Sequence, residues 1–152
     1  MIYQKSLHTP LGDMTLTQDG DAIVSLDWGT GRDQSDSPLL SKAIAQLHAY
    51  FDGDRTHFDL PLAPPVSPFT LKVLREMQHI PYGETRSYAQ LARALKTAPR
   101  AIGGACGRNP IPIIIPCHRV LSASGMGGYS GEGGLETKRA LLTLEGAAQT
   151  GH

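Results

Sequence analysis

The chain has 152 residues, 40% of them hydrophobic, and no net charge, enough to bury on the order of 70% of its unfolded surface in one core or in two small ones. No apolar run approaches the roughly 18 residues of a membrane helix, and the first ten residues have neither the basic start nor the apolar stretch of a signal peptide. Two cysteines, Cys106 and Cys117, make no disulfide framework, so an intracellular, cytoplasmic setting that keeps thiols reduced is expected. The neutral total hides a split. Residues 1–68 carry four Lys/Arg against nine Asp, a net of −5, and residues 69–152 carry ten Lys/Arg against five Glu, a net of +5. The split points to two modules, the second basic enough to face phosphates.

In chain order, residues 2–7, 14–17 and 22–28 have strand-like patterns, separated by Pro10-Leu11-Gly12 and Asp19-Gly20-Asp21. A polar loop over 29–37 follows. Pro38 then opens a helix with apolar positions Leu39, Leu40, Ala43, Ile44, Leu47 and Phe51, which stops near Asp52-Gly53. Residues 58–62 read as short and extended. Pro61, Pro64, Pro65 and Pro68 mark 61–67 as a stiff linker between a domain at 1–60 and another at 68–152.

The second domain reads as mostly helical. Ser67 caps a helix with Pro68 at its first position, and Phe69, Val73 and Met77 form one stripe. Ile80-Pro81-Tyr82-Gly83 ends it. Ser87-Tyr88-Ala89-Gln90 has capping-box spacing, with Leu91 and Leu95 facing inward. Thr97-Ala98-Pro99 starts another helix after a tight turn, so the pair predicts a helix-turn-helix. The second helix carries Arg100-Ala101-Ile102-Gly103-Gly104-Ala105, and each interior glycine costs about 1 kcal/mol relative to alanine. The glycines fit either tight packing against a neighbouring helix or close approach of a DNA backbone, with Arg100 projecting. Pro110 and Pro112 bar a central strand, so 111–115 is expected to be a buried extended segment. Residues 122–134 form a Gly/Ser-rich loop of functional length around Tyr129 and Ser130. A last helix runs from about 136 to 144, with Gly146 as its stop.

The chemistry concentrates in Pro116-Cys117-His118-Arg119-Val120. A thiolate is a strong nucleophile, and its pKa falls near a base or a positive charge. Neighbours on an extended segment point to opposite faces, so Cys117 and His118 need a turn at Pro116 or a bridging water to communicate. A carboxylate would orient the imidazole; Glu145, Glu132 and Glu136 are all candidates by spacing. A buried structural thiol beside a surface histidine is the competing interpretation. The cysteines and histidines lack metal-ligand spacing, and no phosphate-binding glycine motif occurs, so neither a metal nor a cofactor is expected.

Ile80-Pro81-Tyr82-Gly83, Ser87 to Ala92, Arg100 to Ala105, Arg108-Asn109-Pro110, Ile115 to Val120 and the loop at Tyr129-Ser130 occur together in one order. In that order and spacing the chain resembles the O6-alkylguanine-DNA alkyltransferases, also called methylated-DNA–protein-cysteine methyltransferases. The resemblance covers 68–146 closely and 1–60 more loosely. It implies an α+β protein, with an N-terminal ribonuclease-H-like α/β domain followed by a winged-helix-like DNA-binding domain. It implies single-turnover repair: the alkyl group of O6-alkylguanine, and of O4-alkylthymine, passes irreversibly to Cys117 after minor-groove binding and base flipping. His118 and Glu145 would complete a Cys–water–His–Glu relay, and Asn109 would support the turn that carries Cys117. Tyr88 would crowd the target phosphate and donate towards guanine N3. Arg100 would fill the space left by the flipped base, with Ala101, Gly103 and Gly104 along the DNA. Cys117 and Val120 would offer main-chain carbonyls to the exocyclic amine. Val120, Met126, Tyr129 and Ser130 would line the pocket. The implied partner is double-stranded DNA bearing the lesion, bound by a monomer without a metal. A non-catalytic binder of alkylated DNA lacks the acceptor cysteine. A major-groove regulator needs more base-reading side chains than the glycine-rich helix offers. A Cys-His hydrolase is the most distant alternative.

Overall fold

The computed structural model describes residues 1–122, 125–127 and 134–147. The chain divides into two compact units, Met1–Pro65 and Val66–His152.

The first unit is an antiparallel sheet with a helix on it. Strands β1 (Ile2–Thr9), β2 (Gly12–Asp19) and β3 (Ala22–Trp28) pair in the order β1-β2-β3. Two-residue connections join them, which Gly12 and Gly20 allow by taking positive φ (105° and 61°). Leu7, Met14, Leu16, Ile23 and Leu26 point inward, against Leu40, Ala43, Leu47 and Tyr50 of helix α1 (Pro38–Phe51). Tyr50 fills the core completely and Phe51 only edges it. Ser37 caps α1, accepting from the Leu40 N–H at 3.0 Å, while its hydroxyl donates to Gln18 beside a bulge in β2. Both sheet edges are covered. Ser35 N–H donates to Gln4 O, and the Gln34 side chain accepts from Ser6 N–H, along β1. Pro61 and Ala63 bracket Ile23 of β3 in a parallel bridge at Leu62 (2.9 Å each way). The proline-rich segment thus begins as a short edge piece. Pro61 uses only its carbonyl there, so its missing N–H costs nothing.

The second unit contains α2 (Pro68–Met77), β4 (Arg86–Ser87), α3 (Tyr88–Leu95), α4 (Pro99–Gly107), a 3₁₀ turn (Cys117–Arg119), β5 (Val120–Leu121) and α5 (Leu135–Glu145). Ser67 caps α2, whose buried face is Thr70, Val73, Leu74 and Met77; Phe69, expected on that stripe, is exposed. Ser87 and Gln90 form a reciprocal capping box on α3. Lys96 closes α3 in the left-handed region (φ 56°), which makes the three-residue connection to α4 possible. Ile102 and Ala105 turn α4 inward. Strands β4 and β5 pair in parallel, Arg86 with Val120, so the start of α3 sits beside the residues that follow Cys117. Gly146 stops α5 in the left-handed region.

The segment 111–115 is buried but not extended. Ile115 N–H donates to Ile111 O, Ile114 N–H donates to Pro112 O, and Ile113 takes φ 73°. The extended reading weighed the prolines and missed the polar side chain that folds the turn. No helix among the described residues is long and apolar enough to cross a membrane.

Candidate active site

That polar side chain is Asn109, at the end of α4. Its Oδ1 accepts from Ile111 N–H and its Nδ2 donates to Ile115 O, both at 3.0 Å. These bonds hold a β-branched residue at positive φ, a conformation worth about 1–3 kcal/mol of strain. The turn delivers the chain into the 3₁₀ turn at Cys117, whose N–H donates to Ile115 O. Cys117 is 5% exposed. Burial pushes its thiol pKa up, while the Asn109 side chain and the Lys138 ammonium pull it back. A buried thiol of this kind needs a base to become a thiolate.

His118 is wholly buried, not at the surface. Its Nε2–H donates to Glu145 Oε2 at 2.8 Å, and among the described residues its Nδ1 has no hydrogen-bond partner. The carboxylate therefore selects the tautomer with a free lone pair at Nδ1. Burial lowers the His118 pKa; Glu145 opposes this, and Arg119 and Lys138 add to it. Burial also penalises the Glu145 carboxylate, yet the bonds from His118 and Arg119 outweigh it and hold the pKa at about 2. Arg119 is 7% exposed and spans Glu145 with two bonds, Nε to Oε1 (2.8 Å) and Nη2 to Oε2 (3.0 Å). Its guanidinium is thereby committed inside the protein.

Of the three carboxylates that spacing allowed, Glu145 shares the buried face of α5 with Lys138, Leu141 and Leu142, whereas Glu136 is exposed. Glu132 lies outside the described residues, as do Tyr129 and Ser130. Lys138 is the site residue that motif reading missed. It is fully buried, donates to Val120 O at 2.7 Å and to Met126 O, and lies 5.9 Å from the Tyr88 ring centroid. Burial brings its pKa down to about 8. The available signal was helical spacing, since 138, 141, 142 and 145 fall on one face.

Tyr88 opens α3, half-buried, and its ring presses on Gly127. A Cβ at Gly127 would meet the ring at 2.8 Å, and its φ of 72° also favours glycine. Val120 is buried and its carbonyl already accepts from Lys138, as the Cys117 carbonyl does from Val120 N–H. Each carbonyl oxygen has a second lone pair. Met126 is half-buried beside them. On α4, Arg100 and Gly103 are exposed, while Ala101 and Gly104 are half-buried. A Cβ at Gly103 would meet nothing within 4 Å, and one at Gly104 would reach only the Arg108 guanidinium, at 3.4 Å. Helix packing therefore does not demand these glycines, and the face they share with Arg100 is open. The structure thus brings Cys117, His118, Glu145 and Asn109 into one buried cluster.

The chain matches two family models in succession: the ribonuclease-like domain of 6-O-methylguanine DNA methyltransferase over residues 2–64, and the DNA-binding domain of the same family over residues 68–147. It is 41% identical over 143 residues to a methylated-DNA–protein-cysteine methyltransferase of Saccharolobus islandicus, covering 91% of each chain. The O6-methylguanine methyltransferase of Mycobacterium tuberculosis superposes with a TM-score of 0.84 at 39% identity, covering 96% of this chain and 93% of that one. The M. tuberculosis protein crystallised in complex with DNA gives 0.85 at 41%, covering 95% and 92%. The fold is accordingly α+β, a ribonuclease-like domain with a three-stranded sheet followed by a mostly helical DNA-binding domain, and the chain belongs to the O6-methylguanine DNA methyltransferase family of alkyl-damage repair proteins that bind DNA (EC 2.1.1.63).

Proposed function

We propose that Cys117 is the alkyl acceptor and is consumed in a single turnover. The observation that carries this reading is the His118 tautomer, because Glu145 takes Nε2–H and leaves the Nδ1 lone pair, on the residue next to the buried Cys117, without a hydrogen-bond partner among the described residues. The thiol proton passes through a water molecule to His118 Nδ1. The Sγ–C bond then forms as the C–O6 bond breaks, and the electron pair leaves with the base. A proton from the Tyr88 hydroxyl at N3 makes the departing guanine neutral, and the tyrosinate and imidazolium re-equilibrate through solvent. The product is a thioether, and none of the named groups can generate a nucleophile strong enough to cleave it.

Double-stranded DNA carrying O6-alkylguanine, and O4-alkylthymine as a second substrate, is the partner this reading assigns. A monomer binds through the minor groove, in the cytoplasm, with residues 61–67 linking the two functional modules. Arg100, Ala101, Gly103 and Gly104 lie along the DNA, and Arg100 fills the space of the extruded base. Extruding a base costs about a few kcal/mol, least for a damaged pair, which favours the lesion. Tyr88 crowds the target phosphate. Val120 and Met126 are assigned to the substrate pocket, and so, from the family resemblance alone, are Tyr129 and Ser130.

Intact mass after incubation with O6-methylguanine duplex tests the acceptor. The protein should gain one methyl group, and Cys117→Ser should gain none; a methyl group on the serine variant would place the acceptor elsewhere. The open face of α4 predicts an uncommon pairing of effects for Gly103→Ala. Thermal unfolding should rise by up to about 1 kcal/mol from helix propensity, while duplex binding measured by fluorescence anisotropy weakens. Unchanged binding would remove α4 from the DNA interface. Glu145 sets an acid limit to stability: it titrates at about 2 in the fold and 4.5 in the unfolded chain. Between these values the unfolded chain binds more protons, so stability present above pH 4.5 is lost as pH falls towards 2, by on the order of 3 kcal/mol. Denaturant titrations across that window should show this slope in the wild type, and a shallower one in Glu145→Gln.

A further inference from the structure

Arg119 adjoins the reacting pair in sequence, yet every nitrogen of its guanidinium is used inside the protein. Nε and Nη2 grip Glu145, Nη1 donates to Ile80 O at 2.7 Å, and the group lies 5.8 Å from the Tyr82 ring centroid. Glu145 Oε2 therefore accepts from an imidazole and a guanidinium at once, at 2.8 and 3.0 Å. The turn at 80–83 packs on the same end of α5: Tyr82 Oη donates to Leu144 O at 3.3 Å, and a Cβ at Gly83 would sit 3.2 Å from Glu145 O.

The charges facing His118 come from few elements. Its own turn supplies Arg119, and α5 supplies Glu145 and Lys138. The buried face of α2, which packs on that turn, brings only Thr70, Val73, Leu74 and Met77. Around His118 thus stand one carboxylate and two cations, and an imidazolium would be a third positive charge. A carboxylate facing His118 alone would favour the protonated imidazole, as an opposite charge at hydrogen-bond distance does. A protonated His118 could not take the thiol proton.

We propose that Arg119 is a positioning residue for the proton transfer: by sharing Glu145 with His118, it keeps the imidazole neutral, with its lone pair at Nδ1, until the Cys117 proton arrives. The proposal rests on the Cys117–His118–Glu145 relay described above. It makes Arg119 a regulator of His118 basicity, acting through the carboxylate and without touching the DNA base.

Single-turnover methyl transfer from O6-methylguanine duplex, followed across pH in the full chain, tests it. In Arg119→Gln the acid limb of the rate profile should move to higher pH, and Arg119→Lys, which restores the positive charge, should bring it back. An equal loss at every pH with the limb unmoved would reduce Arg119 to packing and overturn the proposal. Because removing a buried partner can unfold the chain, the wild type carries a second readout, the ¹⁵N shifts of His118. A neutral ring at pH 7 with a pyridine-type Nδ1 supports the proposal, and an imidazolium overturns it. A methyl group found on Cys117 with the limb unmoved overturns the role of Arg119 alone. Absence of methyl on Cys117 in the wild type overturns the relay as well.

Discussion

The buried carboxylate of Glu145 is the constraint on which the rest of the site depends. An ion of this size taken from water costs several kcal/mol after relaxation, and only close, multiple bonds offset that. Here the offset comes from the His118 ring and both arms of the Arg119 fork. Those partners lie on the 3₁₀ turn, and Arg119 also holds the carbonyl of Ile80. One charged group therefore joins the last helix, the reactive turn and the loop after α2. The same geometry fixes which imidazole nitrogen carries the proton, so a packing constraint and a chemical one coincide.

A second constraint acts from the other side of Cys117. Asn109 folds 111–115 into a turn that its apolar sequence would not form alone, with Ile113 held at positive φ. Strain of this kind persists only where the surroundings over-determine it. Two amide bonds and a buried isoleucine cluster do so here. Lys138 completes the frame by joining Val120 to Met126, with the Tyr88 ring close by. The thiol is consequently buried and held between two constraints, and it depends on a base to ionise.

Much of this was legible in the sequence where local chemistry decides. Ser67 and Ser87 announce their helices because a hydroxyl before the first turn satisfies orphan N–H groups. The strands follow from turn residues that only a few backbones accept. Segment 111–115 was not legible as a turn, because a side chain two residues away supplies its hydrogen bonds. The role of Arg119 was not legible, since nothing local reveals that its partner lies 26 residues on. Lys138 was overlooked although it sits on an apolar stripe, where a lysine is costly to bury unless paired. For Gly103 and Gly104 the third dimension was needed to show that helix packing does not demand them, since the face of α4 that carries them is open.

The central claim is that His118 and Glu145 act on Cys117 as one unit. A double-mutant cycle on the single-turnover methyl-transfer rate tests this most directly, with His118→Asn, Glu145→Gln and the pair. If Glu145 works through His118, the double variant should transfer methyl no more slowly than His118→Asn alone. Losses that multiply, so that removing the carboxylate costs as much without the imidazole as with it, would contradict the account.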